Sequence, residues 1–249
     1  MDISILLLII GAVFLGSLMR STFGFGDSVV SMPLLALLPI PFSTAVSLVG
    51  LVGCTVALIS IFSGWKNLDS AVLAKLSLST LLGIPFGLLL VRFAEKRWIS
   101  LILGILLILY SIYSVVGSKR RQKSIEKRFK NTKYGLPFGF FSGMLGSAYN
   151  MNGIPIVLYG TMSNWPPRTF KDTLQSHFLF SSIFIVLSHF LSGFWTKELG
   201  TYFLSSIPAV IAAILLGNYI YARINVNKFK QYVLFFIFLL GVFTLIDFL

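Results

Sequence analysis

The sequence predicts an all-α, polytopic membrane protein of two inverted-topology repeats, each a broken helix or hairpin followed by three transmembrane helices. Three observations carry that expectation. Apolar runs of about 17 to 22 residues recur from end to end, long enough to cross a hydrocarbon core of roughly 30 Å. The 249 residues are 56% hydrophobic and 11% charged, with a mean hydropathy of +0.90, which excludes a soluble domain with one core and a polar surface. Finally, a basic stretch divides the chain into halves that follow one plan.

The first half, 1–116, has arms near 3–19 and 28–39 and then helices near 43–63, 72–93 and 98–116. The second, 134–249, has arms near 135–148 and 153–162 and then helices near 171–192, 200–221 and 229–248. Between them, 117–133 reads as a basic cytoplasmic linker. The opening MDISILLLII carries an acidic residue where a cleavable leader would be positive, so it reads as a retained segment.

The second arms, near 12 and 10 residues, are short for a crossing, which suggests hairpins or broken helices with tips inside the membrane. If each pair returns to its side of entry, a half makes an odd number of crossings and the second half inserts upside down. Charge supports this arrangement. With the 119–133 run inside, roughly 15 Lys and Arg are cytoplasmic against 4 outside; one kinked crossing per pair gives roughly 11 against 8. Both termini then face out.

Net charge is +12, but the basic residues lie between apolar segments, so anionic lipid near 119–133, and not nucleic acid, is the expected partner. Trp65, Trp98, Trp165 and Trp195 fall at segment ends, as interfacial anchors do. Cys54 has no partner cysteine and reads as a packed core side chain.

The polar breaks are the candidate site. Backbone that leaves the helix at membrane depth persists only in buried protein or beside a wet cavity, and helix amino termini there direct N–H groups at anions. The first break reads Arg20-Ser21-Thr22-Phe23-Gly24-Phe25-Gly26-Asp27; Gly24 and Gly26 permit the turn and close ligand approach, and Asp27 or Ser28 can cap the second arm. The second reads Gly146-Ser147-Ala148-Tyr149-Asn150-Met151-Asn152-Gly153, where Asn150 and Asn152 offer amide donors and Asn152 can cap the arm from Gly153.

Arg20 has three readings: a bidentate substrate ligand, a structural ion pair with Asp27, or a snorkelling side chain. Asp27 is a helix cap, the partner of Arg20 or a proton carrier. Gln175 and His177, in a polar cluster with Thr173 and Ser176, are either site groups or interhelical hydrogen bonders. His189 is about 120° round the helix from His177, which argues against a metal pair. No cofactor or metal is expected.

At these residues the chain resembles the sulfite exporter TauE/SafE family, whose halves each begin with a glycine-rich motif followed by proline. The resemblance runs through Thr22-Phe23-Gly24-Phe25-Gly26 to Pro33-Leu34-Leu35, through Gly146, Tyr149, Asn150, Gly153, Pro155 and Tyr159-Gly160, and through Phe170 to Gln175. It differs by Phe23 between the threonine and first glycine, and by Tyr149 to Asn152 where many relatives carry a glycine run. The resemblance implies transport of a small anion such as sulfite, a sulfonate or a carboxylate, with the proton gradient as the candidate driving force, in a bacterial inner membrane. Export is favoured by analogy, and a homodimer is left open. A passive anion channel and an intramembrane enzyme using Ser147, His177 or His189 are the alternatives.

Overall fold

The computed structural model describes residues 3–60, 69–93, 95–116, 132–163, 165–221 and 223, with isolated positions from 235 to 245. In the first half α1 (Ile3–Phe23) is followed by α2 (Asp27–Ala36), α3 (Phe42–Ser60), α4 (Ser70–Phe93) and α5 (Lys96–Val116). After a short 3-10 turn at Thr132–Tyr134, the second half continues with α6 (Gly135–Tyr149), α7 (Gly153–Met162), α8 (Pro167–Leu191) and α9 (Lys197–Tyr221). The expected last helix and most of the basic linker, with its lipid contact, lie outside the described residues, as does Trp65.

Among the described residues, α1, α3, α4, α8 and α9 contain stretches long and apolar enough to cross a membrane. The chain is a multi-pass membrane protein. Leucines such as Leu7, Leu82, Leu204 and Leu215 stand exposed on these helices, as surfaces in contact with lipid tails require. With apolar lipid outside, burial of oily side chains does little to join the helices, so close backbone approach must hold them.

Small residues supply it. On α4, a Cβ added at Gly83 would lie 2.0 Å from the Phe140 carbonyl oxygen of α6, and one at Gly87 would lie 2.1 Å from the Met144 carbonyl oxygen. From the other side, Gly143 would clash with the Thr80 carbonyl oxygen at 2.0 Å. Across this crossing Thr80 Oγ1 donates to the Gly139 carbonyl (3.0 Å) and Ser147 Oγ to the Ile84 carbonyl (2.8 Å). The same device recurs where α1 meets α9: a Cβ at Gly217 would sit 2.5 Å from Ser21 Cβ.

The helix pairings have counterparts under exchange of the halves. The first helix of each half packs along the fourth element of the other, α1 on α9 and α6 on α4, while α3 and α8, the third elements, pack on one another. One core cluster joins α1, α2 and α3 to Ala148, Tyr149 and Met151 of the second half.

Two boundary corrections bear on function. α1 runs a full turn beyond the expected 19, because Arg20 to Phe23 continue the helix, so the break is confined to Gly24–Gly26. Likewise α6 includes Gly146 to Tyr149, which leaves Asn150–Asn152 as the second break. Both second arms are short as expected: α2 and α7 have 10 residues each.

Of the described tryptophans, Trp98 and Trp195 are exposed, whereas Trp165 is partly buried edge-on to Tyr159 and near Phe170. Cys54 lines an apolar surface groove with Ile183, Leu187 and Phe190 and is only partly buried, not packed in a core.

Candidate functional site

Gly24 and Gly26 both adopt left-handed backbone, φ +83° and +95°, which a side chain would oppose by roughly 1–2 kcal/mol per residue. The chain thereby reverses between Phe23 and Asp27 and brings the last turn of α1 beside the first turn of α2. Arg20 and Asp27 meet there: Arg20 Nη1 donates to Asp27 Oδ2 at 2.7 Å, with Arg20 only 5% exposed. The N-cap of α2 is Gly26, so neither Asp27 nor Ser28 takes the capping position that the sequence suggested. The carboxylate serves the guanidinium instead.

That guanidinium is only partly engaged. The Phe178 ring of α8 lies under it, centroid 4.8 Å from Cζ, and Gly53 of α3 leaves it room, since a Cβ there would be 3.3 Å from Nη1 and 3.1 Å from Asp27 Oδ2. Nε and Nη2 are buried without a hydrogen-bond partner. These two nitrogens form one edge of the planar fork, the geometry that binds two oxygens of a carboxylate or sulfonate in parallel. Leaving them bare in a dry interior is unfavourable by about 1–3 kcal/mol, so this edge keeps unused capacity to donate to an acceptor.

The second break turns on Asn150, the only non-glycine residue with positive φ (56°) among the described residues. Its amide Nδ2 donates to the Val46 carbonyl of α3. Asn152 Nδ2 donates to Ser181 Oγ of α8 at 2.6 Å and makes no cap bond to α7, so the cap expected from sequence is absent here too. Both amides are committed to protein partners.

Each break is thus held by the third element of the opposite half. Gln175 of α8 donates from Nε2 to the Gly24 carbonyl at 2.7 Å, and α3 receives the amide of Asn150. The breaks face each other across a cleft lined by Gly26, Asp27, Asn152, Gly153 and Phe178, with a volume of about 10 Å³, room for about one water. Phe178 closes it. A Cβ at Gly153 would lie 2.7 Å from the Phe178 ring.

Ser21, Thr22, Gly24 and Gln175 line a different cavity, of about 270 Å³, with Asn218 and Tyr221 of α9. The hydroxyls of Ser21 and Thr22 donate one turn back, to the Ser17 and Leu18 carbonyls, both at 2.8 Å. The candidate residues of the first break therefore divide between a tight cleft and a wider vestibule.

His177 is fully buried with Nε2 3.0 Å from Ser142 Oγ, and Ser142 donates its one proton to the Asn152 carbonyl at 2.7 Å. That assigns the Nε2 proton to His177, which makes it a donor in an interhelical hydrogen bond. His189 Nε2 meets the Ser147 carbonyl at 2.9 Å, while Ser147 Oγ donates to backbone carbonyls. Ser147 has no base, so the enzymatic alternative loses its nucleophile.

Sequence reasoning missed Phe178, Gly53, Ser142, Asn218 and Tyr221. Phe178 was within reach of it, since it lies three residues after Gln175 on one helix face. Gly53 comes to the site through the packing of α3 on α1 and α2 within the first half, and the α9 pair through the packing of α9 on α1 across the halves.

The family model described as sulfite exporter TauE/SafE matches residues 8–244, nearly the whole chain. Searches of the curated proteins and of the solved structures give no match. A match of that extent, on a chain of apolar helices with paired breaks, is decisive: the chain belongs to the sulfite exporter TauE/SafE family, a family of membrane transporters and not of enzymes.

Proposed function

We propose that the protein is a secondary transporter of a small organic or sulfur-containing anion, such as sulfite, a sulfonate or a carboxylate, and that the anion binds at the Nε/Nη2 edge of Arg20 where the two breaks meet. The observation that carries this reading is the buried guanidinium with one nitrogen on Asp27, its face on Phe178 and its remaining edge without a partner. The cleft beside Asp27 and Phe178 is too small for such an anion, so binding requires the breaks to part.

A site between two halves that trade equivalent helices suits alternating access, in which one repeat rocks against the other. The halves are read as inverted in the inner membrane of a bacterium, with the 117–133 linker in the cytoplasm and both termini outside, because that orientation places most Lys and Arg inside. On this reading the vestibule of Gln175, Asn218 and Tyr221 lies toward the linker side, because Lys75 on α4 bonds Thr132 and Asp69, at the start of α4, meets Thr173 on α8. The direction of transport follows from how the proton and the anion are coupled: movement together takes the anion inward with the proton gradient, and exchange takes it outward. Proton coupling, through Asp27 or His177, is the proposed driving force.

The test is flux in proteoliposomes with sulfite, ethanesulfonate and acetate. A carrier gives saturable counterflow of at least one of these. A current reversing at the anion's equilibrium potential, with no counterflow, would instead establish a passive channel.

A further inference from the structure

Charge balance at the ion pair says how the proton and the anion travel together. Arg20 and Asp27 sum to zero, and they are 5% and 13% exposed. Four elements approach the pair. They bring Met19 of α1, Gly53 and Cys54 of α3, Asn152 and Gly153 beside α7, and Phe178 of α8. Of these groups only the Cys54 thiol is titratable, and it is neutral in its ordinary form. The neighbouring imidazole, His177, turns its Nε2 to Ser142. Asp27 is therefore the only carboxylate among the described residues at the site, and nothing else there balances an incoming negative charge.

An anion on the free edge of Arg20 gives the buried set a net charge of −1. In a medium of low dielectric an unbalanced charge is strongly disfavoured, far more than the same charge in water. One proton on the Asp27 carboxylate restores neutrality. The protonated acid still faces Arg20 Nη1 with its carbonyl oxygen, so the guanidinium keeps its orientation while its full charge becomes available to the guest.

Building on the transporter reading above, we propose that Asp27 is the coupling group: it takes up one proton for each monoanion bound at Arg20, so that proton and anion cross in the same direction, while His177 takes no part. The bookkeeping closes. Arg20 (+1), Asp27 (−1), anion (−1) and proton (+1) sum to zero, and the empty pair also sums to zero, so both states that must reorient are neutral. States carrying the anion without the proton, or the proton without the anion, are charged and stay behind.

The probe is ethanesulfonate, whose own acid group does not titrate in the working range, and the readouts are binding to purified protein as pH is varied and lumenal pH in proteoliposomes. Wild-type affinity is expected to fall as pH rises, by up to about tenfold per pH unit for one proton taken up per anion. Asp27→Asn, which keeps an acceptor oxygen for Nη1, is expected to lose that slope. Ethanesulfonate entry should acidify the lumen of wild-type vesicles. A flat wild-type pH profile, an unaltered slope in Asp27→Asn, or a lumen that stays constant or turns alkaline overturns the proposal. If Asp27→Asn does not fold, the wild-type lumenal measurement decides alone. Absence of binding by wild type, or equal binding by Arg20→Gln, would strike at the transporter reading itself.

Discussion

Arg20 gives Asp27 a single hydrogen bond, from Nη1 at 2.7 Å, and keeps the other edge of its guanidinium free of protein partners. A purely structural ion pair in a dry interior would use the fork fully, because every unsatisfied N–H there is unfavourable. Phe178 completes the arrangement by fixing the plane of the group from one face. On the proposed reading, the free edge is where the anion binds.

Phe178→Leu should remove the ring from beneath Arg20 and loosen the wall of the cleft. Cation–π stabilisation of a desolvated guanidinium is about 1–2 kcal/mol. Anion affinity is expected to weaken by roughly five- to thirtyfold, with folding retained. Isothermal titration of the detergent-purified variant measures it.

Gln175→Leu should leave the Gly24 carbonyl without its donor and release the first break from α8. The loss is expected to lower stability by about 1–3 kcal/mol and to reduce transport. Thermal unfolding followed by tryptophan emission, alongside flux, checks both. Gln175→Glu should fare worse, since a carboxylate would face a carbonyl oxygen.

Gly143→Val should force α6 away from α4, because even a Cβ would meet the Thr80 carbonyl oxygen at 2.0 Å. Overpacking of this kind is destabilising by about 1–3 kcal/mol or more. The expected result is a lower unfolding temperature and poor recovery from the membrane. Gly11→Ala, at a position where an added Cβ meets nothing within 4 Å, serves as the neutral control.

His177→Gln should retain proton-coupled flux, because an amide can replace the imidazole as donor to Ser142. A modest loss of stability, about 1 kcal/mol, is expected. Lumenal pH recordings on the variant separate this outcome from a role in proton transfer.

Much of this was legible in the chain itself. The breaks could be found because glycine and polar residues interrupt apolar runs twice in matching places, each followed by a proline, and α7 begins and ends where the pattern placed it. Arg20 and Asp27 stood out because ionised groups are rare in such segments. What the pattern concealed was the competition for each polar atom. Asn150 and Asn152 suggested groups aimed at a guest or a helix end, yet Val46 and Ser181 claim them, while the Arg20 partner of Asp27 was one of the three readings the sequence left open. Local sequence shows the capacity to donate or accept, but the fold chooses the partner, within one half for Asp27 and Asn152 and across the halves for Asn150. Gly53 shows the same limit from the opposite direction, since its importance lies only in what its missing side chain allows next to Arg20.

The most direct measurement is sulfite and ethanesulfonate binding to purified wild type and Arg20→Gln, read as the rise in unfolding temperature with anion concentration. A concentration-dependent rise in wild type, absent in an Arg20→Gln variant that remains folded, is the expected result. An equal rise in both proteins would mean that the anion binds elsewhere and that Arg20 is a structural ion pair.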